Sequence, residues 1–229
     1  MKSKSLIVIP AAVLGSALVI WGGCTYREHL RDRADRRASE LLRTYFKLAS
    51  DGYPDEKAKE QLRPVIAEMG AVSERCRDRM KEALFPRRLD GAFLVGDYAI
   101  AEAMMDQIPD KSVNWREGAK AKIRAHAALE KGRKAVAIKE FLAFCDTQLK
   151  EDPESKEFDP HTGVEWTRDG VLAHNYKRIS DLAGETGDAA LRDKYLAEAK
   201  KYAKVAIEKA AGDPDSKAAM EKEFAALVK

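Results

Sequence analysis

A chain of 229 residues, 45% hydrophobic and 34% charged, can build one domain with a substantial core or two small ones, and its balance is that of solvated amphipathic helices. The net charge of +3 is uneven: residues 1–90 hold 18 Lys and Arg against 13 Asp and Glu, the remainder 23 against 25. So weak an asymmetry gives no basis for a nucleic-acid partner, and none is expected.

In chain order, Lys2 and Lys4 precede an uncharged apolar run over residues 6–23, longer than an ordinary signal-peptide core and just able to span a bilayer. Residues 1–24 are therefore a signal peptide or a membrane anchor. Cys24 follows Gly22 and Gly23, and the segment resembles a bacterial lipoprotein signal, in which that cysteine is lipidated. Trp21 stands where the lipoprotein motif usually has leucine. In the other reading the segment is an uncleaved signal anchor and Cys24 is a small apolar residue at the interface. Arg27, Arg31, Arg33, Arg36 and Arg37 follow the run, which by the positive-inside rule favours a cytoplasmic body. The short Lys-flanked start and small-residue exit look like an export signal. The adopted reading is a membrane-anchored protein with its body on the periplasmic face, the cytoplasmic face left open.

Residues 25–229 read as a helical-repeat domain. Its irregular N-terminal helices, 25–85, begin with an amphipathic helix over 26–49, where Leu30, Ala34, Ala38, Leu41, Leu42, Tyr45, Phe46 and Ala49 form one apolar stripe. Its arginines are placed either to meet anionic headgroups or to form solvated Arg/Asp pairs. Pro54, Asp55 and Glu56 suit a first helical turn. Pro64 predicts an interruption near Leu62 and Pro86 a second break, with Ser73 as a helix cap between them. Cys76 lies among Arg75, Arg77 and Arg79, which would lower its thiol pKa on close approach.

Residues 86–149 hold two repeat-like units. Aligning Gly96 with Gly132, an offset of 36 residues, brings Ala92 onto Ala128, Ala101 onto Ala137, Met105 onto Phe141 and Ile108 onto Phe144. The offset lies in the range of helical repeats. Small residues let two antiparallel helices approach closely while phenylalanines fill the space beyond. Each glycine ends a first helix by accepting the left-handed conformation. GDYAIAEAMMDQIP resembles the second helix of a tetratricopeptide repeat, and AKIRAHAALEKGRKAVAIKEFLAF most of another. YKRISDLAGETGDAALRDKYLAEA resembles a third, weaker copy, with Gly187, Ala183 and Ala199 in the key positions, Arg192 where alanine belongs, and an offset of 55. Pro86 and Arg88 depart from the pattern at the start of the first copy.

The resemblance implies an all-α fold of stacked antiparallel helix pairs in a right-handed, tetratricopeptide-like array, here behind an N-terminal transmembrane or signal helix. It also implies a concave groove, lined by the first helices, that binds peptides or partner helices. In this register Lys122, His126, Lys177 and Asp181 project towards the groove, the lysines placed to hold a partner's C-terminal carboxylate. That these are ordinary solvated or packing positions stays open beside it.

Residues 150–166, KEDPESKEFDPHTGVEW, break periodicity and read as a loop. Asp152, Glu154, Glu157, Asp159 and His161 lack calcium-loop spacing and are a poor zinc signature, so no metal is expected. Residues 166–184 and 189–211 read as a third helix pair, and Asp213 with Pro214 opens a capping helix to about Val228. Four scattered histidines, three distant cysteines and the lack of a phosphate loop or Gly-x-Ser-x-Gly turn point to no enzyme and no cofactor. Cys76 and Cys145 are a possible disulfide in an exported body. The expectation is a membrane-anchored adaptor binding another protein of a bacterial cell envelope. The alternatives are a carrier of a small apolar ligand or lipid in a helical cavity, and an enzyme using the acidic loop and histidines.

Overall fold

Three helices form the N-terminal unit of the computed structural model: α1 (Val8–Ala49), α2 (Glu56–Ser73) and α3 (Asp78–Leu94). Residues 8–49, 54–108, 112–159, 164–210 and 214–228 are described, and the chain divides into two units, Met1–Val95 and Gly96–Lys229. The boundary falls inside the first of the two expected repeat units, so the helices either side of Gly96 belong to different bodies.

α1 is continuous from Val8 to Ala49, joining the expected anchor to the expected amphipathic helix. The side chains of residues 1–25, Cys24 among them, lie outside those described. Among the described residues no helix is long and apolar enough to cross a membrane. Ala34, Ala38, Leu41 and Tyr45 are the buried stripe of α1, facing Leu62, Ile66 and Met69 of α2 and Leu84 of α3. The Tyr45 hydroxyl donates to the Asp90 carboxylate. α2 and α3 approach so closely at Gly91 that an added Cβ would lie 2.1 Å from Ile66 Cδ1.

Two prolines correct the sequence expectation. Pro64 lies inside α2 and Pro86 inside α3, and neither helix ends there. Both prolines are on exposed faces, where water can satisfy the carbonyl that loses its partner. The opposite face of α2 is held by Leu62, Val65, Ile66 and Met69. Ser73 closes α2 instead of capping the next helix, its Oγ donating to the Gly70 carbonyl at 2.8 Å. Asp55 is the cap at the start of α2, accepting from Ala58 N at 2.7 Å.

The second unit contains α4 (Tyr98–Met105), α5 (Val113–Glu130), α6 (Lys134–Gln148), β1 (Lys156–Asp159), β2 (Val164–Thr167), α7 (Arg168–Glu185), α8 (Ala189–Lys209), α9 (Pro214–Glu223) and α10 (Ala225–Val228). Each of the helices α4 to α8 packs on the next, and α9 and α10 return onto α8. The segments 97–107 and 119–131 therefore lie side by side. Gly96, Gly132 and Gly187 have φ of 77°, 66° and 81°. At Gly132 its own N–H bonds the Leu129 carbonyl and the Arg133 N–H bonds that of Ala128, and Gly187 and Asp188 repeat this with Gly184 and Ala183. Both are Schellman closures, possible because glycine has no Cβ to clash in the left-handed region.

Beneath the turns, Ala101, Ala125, Ala128, Ala137, Ala183, Ala199 and Ala203 are buried, with Phe141 and Phe144 beyond them. Gly118 marks the tightest approach of α5 and α6: a Cβ there would meet Thr147 Oγ1 at 2.1 Å. Full burial of a side chain such as Phe141, Leu172 or Ile179 contributes about 1.5–3 kcal/mol.

The fold is all-helical as expected apart from one short two-stranded antiparallel hairpin over 156–167, where the sequence reads as loop, pairing Lys156 with Thr167 and Asp159 with Val164. Each strand has only four residues, too short for periodicity to distinguish from loop. The Lys209 ammonium holds the approach to the hairpin, reaching the Pro153 carbonyl at 3.0 Å, Glu154 at 2.9 Å and the buried Asp169 at 3.1 Å. α9 begins at Pro214 as expected, while Asp213 lies outside the described residues. The capping helix is broken at Phe224, which is fully buried.

Candidate functional site

Lys122 and His126, four residues apart on α5, face His174 and Arg178, four apart on α7. A pair at that spacing lies on one side of a helix, so two first helices each present two nitrogen-bearing side chains. Arg178 Nη1 lies 3.4 Å from His126 Nε2. A guanidinium only donates, so this contact requires the lone pair on His126 Nε2 and the proton on Nδ1. The floor is aromatic and comes from α6. The His126 ring stands edge-to-face with Phe141 at 5.6 Å, Arg178 Cζ lies 4.9 Å over Phe141 and Lys122 Nζ 5.4 Å over Phe144. Towards α9, His174 Nδ1 is 3.3 Å from Glu223 Oε1, and Trp166 of β2 contacts His174 and Phe224.

Burial keeps the His126 imidazole neutral. Burial, then the charges of Arg178 and Lys122, push His126 down to about 3. Burial also lowers His174, against the opposing pull of Glu223. Lys122 and Arg178 are thus the fixed cations of the face, each seated on a ring by cation–π attraction, and Lys122 has no carboxylate partner among the described residues. The chemistry that Lys122 and Arg178 offer is donation to a carboxylate.

Of the residues singled out from the sequence, the structure brings Lys122 and His126 into this face. Lys177 bonds Asp181 at 2.6 Å along α7, a surface i,i+4 pair. His174, Arg178 and Glu223 were missed. Matching glycine to glycine carries Lys122 to Lys177 and His126 to Asp181, but the residues actually opposite are His174 and Arg178, three positions earlier. The repeat register alone does not contain that three-residue offset.

The remaining candidates resolve separately. Cys76 and Cys145 are both buried and unpaired. The Cys76 thiol is pushed up to about 11 by burial and by Asp35, the reverse of the lowering its arginine neighbours suggested. Burial pushes Cys145 up to about 12. Among the described residues no three His, Cys, Asp or Glu side chains converge as a metal site; the side chains of Glu157, Asp159 and His161 lie outside that set. No protein-family model matches the chain, and neither a curated protein nor a solved structure is similar to it.

Proposed function

We propose that the second unit is a tetratricopeptide-like array that binds a protein partner of the bacterial cell envelope, held at the membrane by residues 1–24 with the body on the periplasmic face. The observation supporting this is the pairing of Lys122 over Phe144 and Arg178 over Phe141 on adjacent first helices. Two cations on an apolar floor suit a peptide that ends in a carboxylate beside an apolar side chain. The role is adaptor or scaffold, with no catalysis and no cofactor.

The test uses full-length protein and peptides bearing either a free or an amidated C-terminus. Free-acid peptides should bind about ten-fold or more tightly than their amides, and Lys122→Glu with Arg178→Glu should abolish the difference. Lys177→Glu should leave it intact, because that ammonium is engaged with Asp181. Equal binding of acid and amide refutes carboxylate capture at this face.

A further inference from the structure

Arg77, at the start of α3, gathers three of the four carboxylates of α1. Its guanidinium reaches Glu28 at 2.8 Å, Asp32 at 2.6 Å and Asp35 at 2.9 Å, and its backbone N–H bonds Asp35 at 3.1 Å. Those three acids recur at i, i+4 and i+7, one helical face. Arg27, Arg33 and Arg37 of the same helix lie off that face, and Arg31 flanks it. A cavity of about 740 Å³ is lined by these four together with Arg75 and Lys81. Glu74 is the one carboxylate among its lining residues, and Leu30, Ala34 and Val72 supply an apolar wall.

Partners inside the protein account for part of this charge. Arg37 is bonded to Glu68 at 2.6 Å and Glu40 at 2.9 Å, and Lys81 to Asp78 at 3.2 Å. Arg31 reaches Glu28 only at 3.5 Å. Arg27, Arg33 and Arg75 have no carboxylate partner among the described residues. With Glu28, Asp32 and Asp35 engaged by Arg77, the hollow keeps an excess of positive charge that an anion fills. The volume is that of a small-ligand site, large enough for a phosphodiester and the first carbons attached to it.

Position selects among anions. Arg27 follows Gly23, the end of the apolar run, by four residues of one unbroken helix, an axial distance of about 6 Å. Arg33 follows Gly23 by ten residues, about 15 Å, so with residues 6–23 in a bilayer the Arg27 end of the cavity stands at headgroup depth and the rest above it.

We infer that this cavity binds the phosphate of an anionic phospholipid, with Arg27, Arg33 and Arg75 as its donors and Leu30, Ala34 and Val72 as the apolar wall beside its headgroup carbons. The membrane position rests on the tether proposed above, whereas phosphate recognition by the cavity does not.

The experiment titrates full-length protein in a maltoside detergent with dihexanoyl-phosphatidylglycerol, dihexanoyl-phosphatidylcholine and inorganic phosphate. Phosphatidylglycerol should bind about ten-fold or more tightly than either of the others. Arg27→Gln, Arg33→Gln and Arg75→Gln together should remove that preference. A control with equal charge loss outside the cavity, Arg36→Gln, Arg43→Gln and Arg79→Gln, should keep it within about two-fold. Far-UV circular dichroism establishes that both variants are folded. Equal affinity for the two lipids, or equal loss in the control, overturns the cavity as a phospholipid site. Inorganic phosphate binding as tightly as phosphatidylglycerol assigns it to a free anion and also overturns the lipid. Vesicle flotation reads the tether separately: failure to float with phosphatidylcholine vesicles strikes the anchor and leaves the titration to judge the cavity.

Discussion

His126 gives the second unit a pH dependence that can be worked out in advance. Its pKa is about 3 in the fold, held down first by burial and then by Arg178, Lys122 and His174, against an ordinary 6.5. Because the folded value is the lower one, the unfolded chain binds the proton first. Stability attached to His126 is complete above about pH 6.5 and is lost as pH falls towards 3. At pH 5 the unfolded imidazole is about 97% protonated and the folded one almost wholly neutral, a difference of about 2 kcal/mol. Any folded pKa below about 4 returns the same figure. Urea unfolding of the full chain at pH 7.5 and 5.0, followed by tryptophan emission, reports this unit through Trp115 and Trp166. Between the two pH values the wild type should lose about 2 kcal/mol more than His126→Gln. His174 titrates in both proteins and cancels. Parallel losses would refute the placement of a neutral imidazole between Lys122 and Arg178.

Three stability predictions concern the turns, the α5–α6 contact and the hairpin. Gly132→Ala and Gly187→Ala should each cost about 1–2 kcal/mol, from strained backbone alone, since an added Cβ meets nothing within 4 Å at either site. Gly118→Ala should cost about 1–3 kcal/mol by forcing α5 from α6, and adding Thr147→Ala should recover much of it in the same urea assay, because the clash is with that side chain. Lys209→Met leaves Asp169, 3% exposed, with only the 3.4 Å contact of Arg168, and should cost about 2–3 kcal/mol. Asp169→Asn added to it should restore most of the loss, which thermal unfolding would measure.

What the sequence disclosed and what it hid divide along physical lines. Gly96, Gly132 and Gly187 were legible because a left-handed residue after a helix has essentially one low-cost occupant. The alanines under those turns were legible because close helix approach tolerates little else. Pro64 and Pro86 misled because a proline's cost depends on whether the face it occupies is wet, and exposure is a tertiary property. The hairpin at 156–167 escaped because four-residue strands carry no measurable alternation. Half of the Lys122 face was foreseen; His174, Arg178 and Glu223 were not, since the stagger between α5 and α7 is decided by packing. The charge sorting on α1 was hidden too, because Arg77 is 42 residues from Asp35 and nothing local ties them.

The three left-handed glycines carry one more consequence. They are separated by 36 and by 55 residues, yet the second and third close their helices with the same pair of backbone bonds. The longer interval takes in the hairpin ahead of α7, and the third turn still closes as the second does. A count at constant interval therefore finds two of the three left-handed turns. The same tolerance makes that junction a natural place to graft an epitope or a fluorophore.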